Sequence, residues 1–532
     1  MSRRRRTAPA LFAAACAAAA GPAFAAEAGR TYHVASSGSD DNDGLSEASP
    51  WRTFAKVQAQ TYRPGDRIRL RCGDTFRSPL HFDARSQGLP TAPIGLDCYG
   101  EGAGATATID VSDRDASALV FEDTAGWSVA NLRLVGAGKA PTQSGLLFFN
   151  CLRGDRKLPY VRIRAVEASG FLHGVHMHGC RDASGYSDVH AAELDLHDNV
   201  LSGMTLDGEA EGDAYNFTDV VIERSRFHGN TGKPGSQGNG VVISQTDRGV
   251  IQRSVAYANG ALGGGGVGIW TWDSNAVVIQ FNKSYANRTS TASDGDGFDL
   301  DEGVTNSVLQ YNYAYDNDGP GYLVWQNEGA GPHFGNTVRF NIGWNNSVGV
   351  KPDERAELRV GGTAALSDIK IYNNTFYTAR PGSAAVAFGP VGAPTGTVIA
   401  NNILYSAGPA DLVATYGVDP AGVIFRGNLY AGPGKVRWAG RAYATVAEWR
   451  AARPDQETVD GADVSLAADP LLTAPGQGGA AAYALRPGSP AVGRGQDLSR
   501  LLGEPLEGAV DYYGEPARVE AGSGYSIGAD AR

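Results

Sequence analysis

A solenoid of parallel β-strands is the fold class that this chain predicts. Three observations predict it: a repeat of about 29 residues, short strands of alternating polarity inside each repeat, and half-cystines at matching places in consecutive repeats. The repeat reads "VVIERSRFHGN", "VIQRSVAYAN", "VVIQFNKSYAN", "VLQYNYAYDN" and "VRFNIGWNN", ending on Asn230, Asn259, Asn287, Asn317 and Asn346. An upstream column runs Asn282, Asn312, Asn341. Fixed-period self-similarity signals stacked units that share one core. Each unit holds period-two strands between glycine and asparagine turns and no helical stripe of useful length, which is the layout of a parallel β-helix. A turn asparagine tolerates the left-handed conformation, and asparagines stacked in register can bond along the axis.

In chain order, residues 1–25 read as a secretory signal peptide: four arginines (Arg3 to Arg6), an alanine-rich apolar run and the small-residue site "AFA". The mature protein is therefore expected to be secreted or periplasmic. Without those arginines the formal net charge moves from −11 to −15, which argues against nucleic acid or anionic lipid as a partner. No later run of about 18 apolar residues predicts a membrane span, and a monomer is expected. Residues 26–65 are assigned to an N-terminal cap, with Trp51, Phe54 and Val57 on a short helix that covers the open coil. The β-helix takes residues 66–430. The remainder, 431–532, is a C-terminal extension packed on the solenoid, with one helix in "TVAEWRAARP", where Thr445 and Glu448 form a capping box.

Cys72 ends "IRLRC" and Cys98 ends "IGLDC"; Cys151 ends "GLLFFNC" and Cys180 ends "GVHMHGC". Neighbouring strands lie about 4.8 Å apart, within the span of a disulfide. Two staples are expected, Cys72–Cys98 and Cys151–Cys180, in an oxidising compartment.

With "YHVASSGSDDNDGLSEASPWRTFAKV", "PGDRIRLRCGDTF", "YALRPGSPAVGRG" and the central repeats in view, the chain resembles secreted carbohydrate-active proteins of the right-handed parallel β-helix, pectate-lyase-like group. The resemblance implies an all-β, right-handed solenoid and a polysaccharide partner. It leaves the reaction open.

Aligning strands on their glycines ("GVHMH", "GMTLD", "GVVIS", "GVGIW", "GFDLD", "GYLVW", "GVK") puts the first and third following residues in the core. Two outward columns follow. One reads His176, Thr205, Val242, Gly268, Asp299, Leu323, Lys351; the other reads His178, Asp207, Ser244, Trp270, Asp301, Trp325. Asp299 and Asp301 then stand as a carboxylate pair flanked by Trp270 and Trp325, which are read as platforms for sugar rings.

Asp299 and Asp301 have Cα atoms roughly 6.5–7 Å apart, a spacing compatible with glycoside hydrolysis and leaning to inversion. One carboxyl, raised by its neighbour's charge, would be the acid and the other would activate water. Glu302 and Asp318 are alternative members of the pair. A second reading follows from "DGFD", "DNDG" and "GVK", whose order is similar to family 9 polysaccharide lyases. That likeness implies a Ca²⁺ ion held by Asp296, Asp299 and Asp318, with Lys351 as the base that acts on a uronate. A calcium held at Asp294 and Asp296 for structure alone is a further expectation. His176, His178 and Asp207 would extend a sugar subsite or bind a metal. Trp272 and Asp273 would line the groove's edge, and Arg355 and Arg359 would suit a uronate carboxylate. Hydrolysis of a polysaccharide is slightly preferred over lyase action, and a non-catalytic glycan-binding protein is the third reading.

Overall fold

The computed structural model describes residues 29–531 apart from 101, 103, 139–140, 391–393, 504–509 and 518–524. The expected signal peptide lies outside the described residues. A typical coil contributes three strands, such as Val267–Trp272, Val278–Gln280 and Lys283–Tyr285. The first of these joins a 14-stranded sheet along one face, and the other two join a 26-stranded sheet around the remaining faces. Pairing between successive coils is parallel, for example Ile269 with Phe298 and Phe298 with Tyr322. Alternation puts Ile269, Phe298, Leu300, Tyr322 and Val324 in one continuous core, all of them fully buried.

Two asparagine ladders hold the coils in register. In one, the Asn287 amide donates to Asn317 Oδ1 at 2.9 Å and Asn317 donates to Asn346 Oδ1 at 2.8 Å. In the other, the chain of bonds runs Asn282, Asn312, Asn341, Asn374, Asn402 and Asn428. Each ladder ends on a buried carboxyl: Asn346 donates to Glu357 and Asn428 to Glu457. The left-handed residue at these corners is not the asparagine, as expected from the sequence, but the one before it. Ala286, Asp316 and Asn345 precede the first ladder's members with φ of 53°, 53° and 50°, and Phe281, Tyr311 and Phe340 precede the second's with 55°, 56° and 51°. The ladder amide must point inward to bond up and down the stack, so its neighbour makes the turn. These non-glycine residues are held in αL by the bonds of the residue that follows.

Both disulfides join adjacent coils as expected, with Cα–Cα distances of 5.2 Å for Cys72–Cys98 and 4.9 Å for Cys151–Cys180. At the N-terminal end, helix α1 (Phe54–Gln58) buries Phe54 and Val57, and Phe54 stacks on Phe76 with centroids 4.8 Å apart. At the other end, helix α2 (Val446–Ala452) starts on Thr445, whose Oγ1 accepts from Glu448 N–H, while the Glu448 carboxylate accepts from Ala444 N–H. Its Trp449 covers the last coil against Phe425 and Trp438. Tyr483, Leu485 and Ile527 pack on the outside of the solenoid against Ile342 and Ile403. Among the described residues no helix is long and apolar enough to cross a membrane.

Candidate active site

Seven consecutive strands of the 14-stranded sheet carry the face of interest: β1 His173–Gly179, β2 Ser202–Gly208, β3 Asn239–Ser244, β4 Val267–Trp272, β5 Asp296–Leu300, β6 Tyr322–Gln326 and β7 Leu358–Gly362. Their register corrects the sequence alignment at two places. Val242 pairs with Trp270, Trp270 with Asp299, Asp299 with Leu323, and Leu323 with Arg359. The first column is therefore His176, Thr205, Val242, Trp270, Asp299, Leu323, Arg359. The second places Trp272 beside Ser244, and Asp301, whose N–H donates to Thr271 O, follows on the next coil beside Trp325.

The slip arose in "GGGGVGIW". The structural equivalent of Gly240 and Gly297 is Gly268, not Gly266: a Cβ at Gly240 would lie 2.2 Å from Gly268 O, and one at Gly268 would lie 2.8 Å from Gly297 O. Gly268 is thus no member of an outward column. Val267 is likewise not core but joins Val242 and Trp270 in a small outer cluster, with Trp272 packed against it. Trp270 is buried at 6% exposure rather than bare. The Trp325 ring carries the Arg359 guanidinium at 4.6 Å and donates from Nε1 to Asn327 Oδ1 at 3.0 Å.

Lys351 does not sit on the sheet. It precedes the short 3-10 turn Pro352–Glu354, is exposed, and leaves its expected column to Arg359. "GVK" lies outside any strand, packed so closely on Asp318 that a Cβ at Gly349 would meet its carboxyl at 2.7 Å. The expected calcium ligands do not converge. Asp318 accepts from Thr289 N–H at 3.0 Å and faces Arg288, a cation already in place. Asp296, expected to ligate calcium, opens β5 and is fully buried. Glu302 is tied by the Asn327 amide. Asp273 borders Gln245 and accepts from its amide.

Around β5 lies a cavity of about 300 Å³ lined by Asp294, Asp299, Asp301, Glu354, Arg359, Trp270, Trp325, Gln237 and Asn327, among others. Asp294 and Asp301 are half-buried, whereas Asp299 is 2% exposed and Asp296 lies wholly inside. Both oxygens of Asp296, and one each of Asp299 and Asp301, have no hydrogen-bond partner. A buried carboxyl without donors resists ionisation. Burial and then the charge of Asp301 hold Asp299 well above the usual carboxylate range. Burial, with added repulsion from Glu302 and Asp294, pushes Asp301 up to about 7. Asp296 is raised well above its ordinary value by burial and then Asp294. Asp294 is raised by burial and then Glu354, with Arg359 opposing the rise.

Sequence reasoning found Asp299 and Asp301 but gave Asp294 only to a structural calcium, and it missed Glu354, Gln237 and Asn327. Asp294 shares no strand parity with the pair. Only its φ of 59° and the following Gly295, which turn the chain back into the sheet, bring it to the cavity.

Fold and cavity together define a right-handed parallel β-helix protein with an acid-lined trough on its 14-stranded sheet. A family model described as right handed beta helix region matches residues 173–376, which include every strand from β1 to β7. Lacto-N-biosidase of Bifidobacterium longum subsp. longum is 25% identical over 453 residues, covering 66% of this chain and 27% of that protein. This chain thus spans about a quarter of the length of that relative. The crystal structure of a GH136 lacto-N-biosidase from Eubacterium ramulus superposes with a TM-score of 0.54 at 18% identity, covering 67% of this chain and 65% of that one. At that identity the likeness speaks for the fold. The pectate lyase Pel9A, with a TM-score of 0.37 and 14% identity over 95% of this chain and 97% of its own, is too distant to bear on the site.

Proposed function

We propose that the protein is a secreted glycoside hydrolase that cleaves a glycan in the β5 cavity, with Asp301 as the general acid. The observation that carries the reading is a half-buried cavity carboxyl poised near pH 7 beside a second half-buried carboxyl, Asp294, and a fully buried neutral one, Asp299. A group that must donate a proton at neutral pH needs a pKa near 7. Asp301 gives its proton to the glycosidic oxygen as the bond to the anomeric carbon breaks, and a water bonds to that carbon and returns a proton to a carboxylate of the site. Asp294 has more solvent contact than Asp299 and has Arg359 to oppose its rise. It is the carboxylate that faces the positive charge growing on the sugar ring. Asp299, protonated, offers an O–H next to Asp301 and keeps a second negative charge out of the cavity. The accessible pair is therefore Asp294 with Asp301, and not Asp299 with Asp301.

The relative's name, lacto-N-biosidase, supports glycoside cleavage rather than elimination. Lys351, the base of the lyase reading, stands outside the cavity lining. Secretion is supported by two disulfides, which persist in oxidising compartments. The test is a panel of neutral oligosaccharides and uronate polymers, read for new reducing ends and for the ultraviolet absorbance of unsaturated sugars. Reducing ends without that absorbance are expected. Unsaturated products would establish the lyase reading. No product, with a tryptophan fluorescence change on adding a glycan, would establish a binding protein.

A further inference from the structure

On the same sheet, four strands before Asp299, stands a second group that the proposed hydrolysis does not use. His176 and His178 project from β1, two residues apart and on one side, and Asp207 projects from β2 directly opposite His178. His176 Nε2 lies 3.0 Å and His178 Nδ1 2.6 Å from the same oxygen, Asp207 Oδ1. The three ligand atoms lie within 4.8 Å of one another, the only such convergence of histidine, cysteine and carboxylate groups among the described residues.

We propose that His176, His178 and Asp207 form a site for a zinc-class divalent ion, with one coordination position open. Two imidazole nitrogens and one carboxylate oxygen suit zinc, nickel or copper rather than calcium or magnesium. Zinc bonds of about 2.0–2.2 Å in a tetrahedron keep ligand atoms about 3.3–3.6 Å apart. The two hydrogen-bonded edges, at 3.0 and 2.6 Å, therefore need widen by only about 1 Å or less. On binding, each imidazole turns a lone pair inward in place of an N–H.

The scaffold already fixes these side chains. His173 stacks on the His176 ring with centroids 4.5 Å apart. His173 is itself held by Ser202 Oγ at 2.7 Å and Thr205 Oγ1 at 3.1 Å, so the His176 ring has a fixed backing. The trio is half-buried between two cavities, one containing His176 and His178 and the other Asp207. The second of these shares Trp270 and Gln237 with the cavity around β5. Three inter-strand steps separate Asp207 from Asp301, about 14 Å. The ion thus lies at the far end of the trough, away from the reacting bond, with its open position facing solvent or a sugar hydroxyl.

The full chain, stripped with a chelator and dialysed, is titrated with ZnCl₂ by calorimetry and with CoCl₂ by visible absorption. One ion per chain and the visible bands of tetrahedral cobalt are expected. His178→Ala and Asp207→Asn should each weaken binding by more than about tenfold, whereas His190→Ala, whose ring bonds to Glu223 on the other sheet, should leave it unchanged. Circular dichroism checks that each variant folds, and His176→Gln serves if His178→Ala does not. Absence of stoichiometric binding, or equal binding by the wild type and the ligand variants, would overturn the site. Activity is not the readout, so the hydrolase reading and the metal site fail separately.

Discussion

Asp296 and Asp299 lie on β5 and Asp301 directly follows it, yet burial gives the three carboxyls different tasks. Asp301 alone combines solvent contact with a pKa of about 7. If it is the proton donor, activity falls as pH rises through about 7, because the ionised acid has no proton to give. Asp301→Asn should lower kcat/KM about 10²–10⁴-fold without loss of fold, as measured on whichever glycan the panel identifies. Asp296 makes the complementary prediction, on stability. Its folded-state pKa is raised well above 3.8, so its stabilising contribution is complete below the unfolded value and is lost as pH rises toward the folded one. Asp296→Asn removes that dependence. Melting temperatures of the variant and the wild type should therefore diverge in the variant's favour as pH is raised from 4 to 8. A constant difference across that range would mean that burial does not raise the pKa of this carboxyl.

At the scale of the element, the asparagine ladder is what keeps strand faces in register. Asn312 shows the density of bonding. Its amide donates to Ile279 O at 2.8 Å and to Asn341 Oδ1 at 3.1 Å, and its Oδ1 accepts from Asn282 N and Nδ2 at 3.0 and 3.2 Å. Asn312→Ala orphans donors and acceptors in a dry corner, each costing about 1–3 kcal/mol. A loss of about 3 kcal/mol or more is expected in denaturant unfolding, against little change for an exposed side chain such as Glu328→Ala. The ladders were visible in the sequence because asparagine recurred at a fixed period, and so were the disulfides and the inward positions of β5 and β6. What misled was local: four glycines, Gly263 to Gly266, offer no side chain to mark the corner, so the alignment slipped by two residues at β4. A period of two hides such a slip, because Ile269 and Trp270 keep their faces while their neighbours across the coil change. The register of β7 was lost for a related reason. The irregular segment around Lys351 to Arg355 stands where a strand was expected, and Arg359 reaches the column only after it.

Across the whole molecule, the stacked coils make stability a property of neighbours. Both disulfides lie toward the N-terminal end, closing separations of 26 and 29 residues, and by chain entropy each is worth about 3.5 kcal/mol. The cavity strand β5 lies four coils beyond the strand that ends beside Cys180, with its own core contacts from Ile269, Phe298 and Tyr322 and its own ladder bonds at Asn287 and Asn317. Reduction and alkylation of the four cysteines should therefore loosen the solenoid from one end. Amide exchange is expected to quicken first in strands Arg67–Arg71 and Ile94–Tyr99, while exchange in β5 and β6 and the catalytic rate stay near their starting values. The Phe54 helix cap sits on that same end and would exchange with it. Loss of activity in step with exchange at Ile68 and Leu96 would show instead that the coils unfold as one unit, with the staples supporting the distant carboxyls through the whole stack.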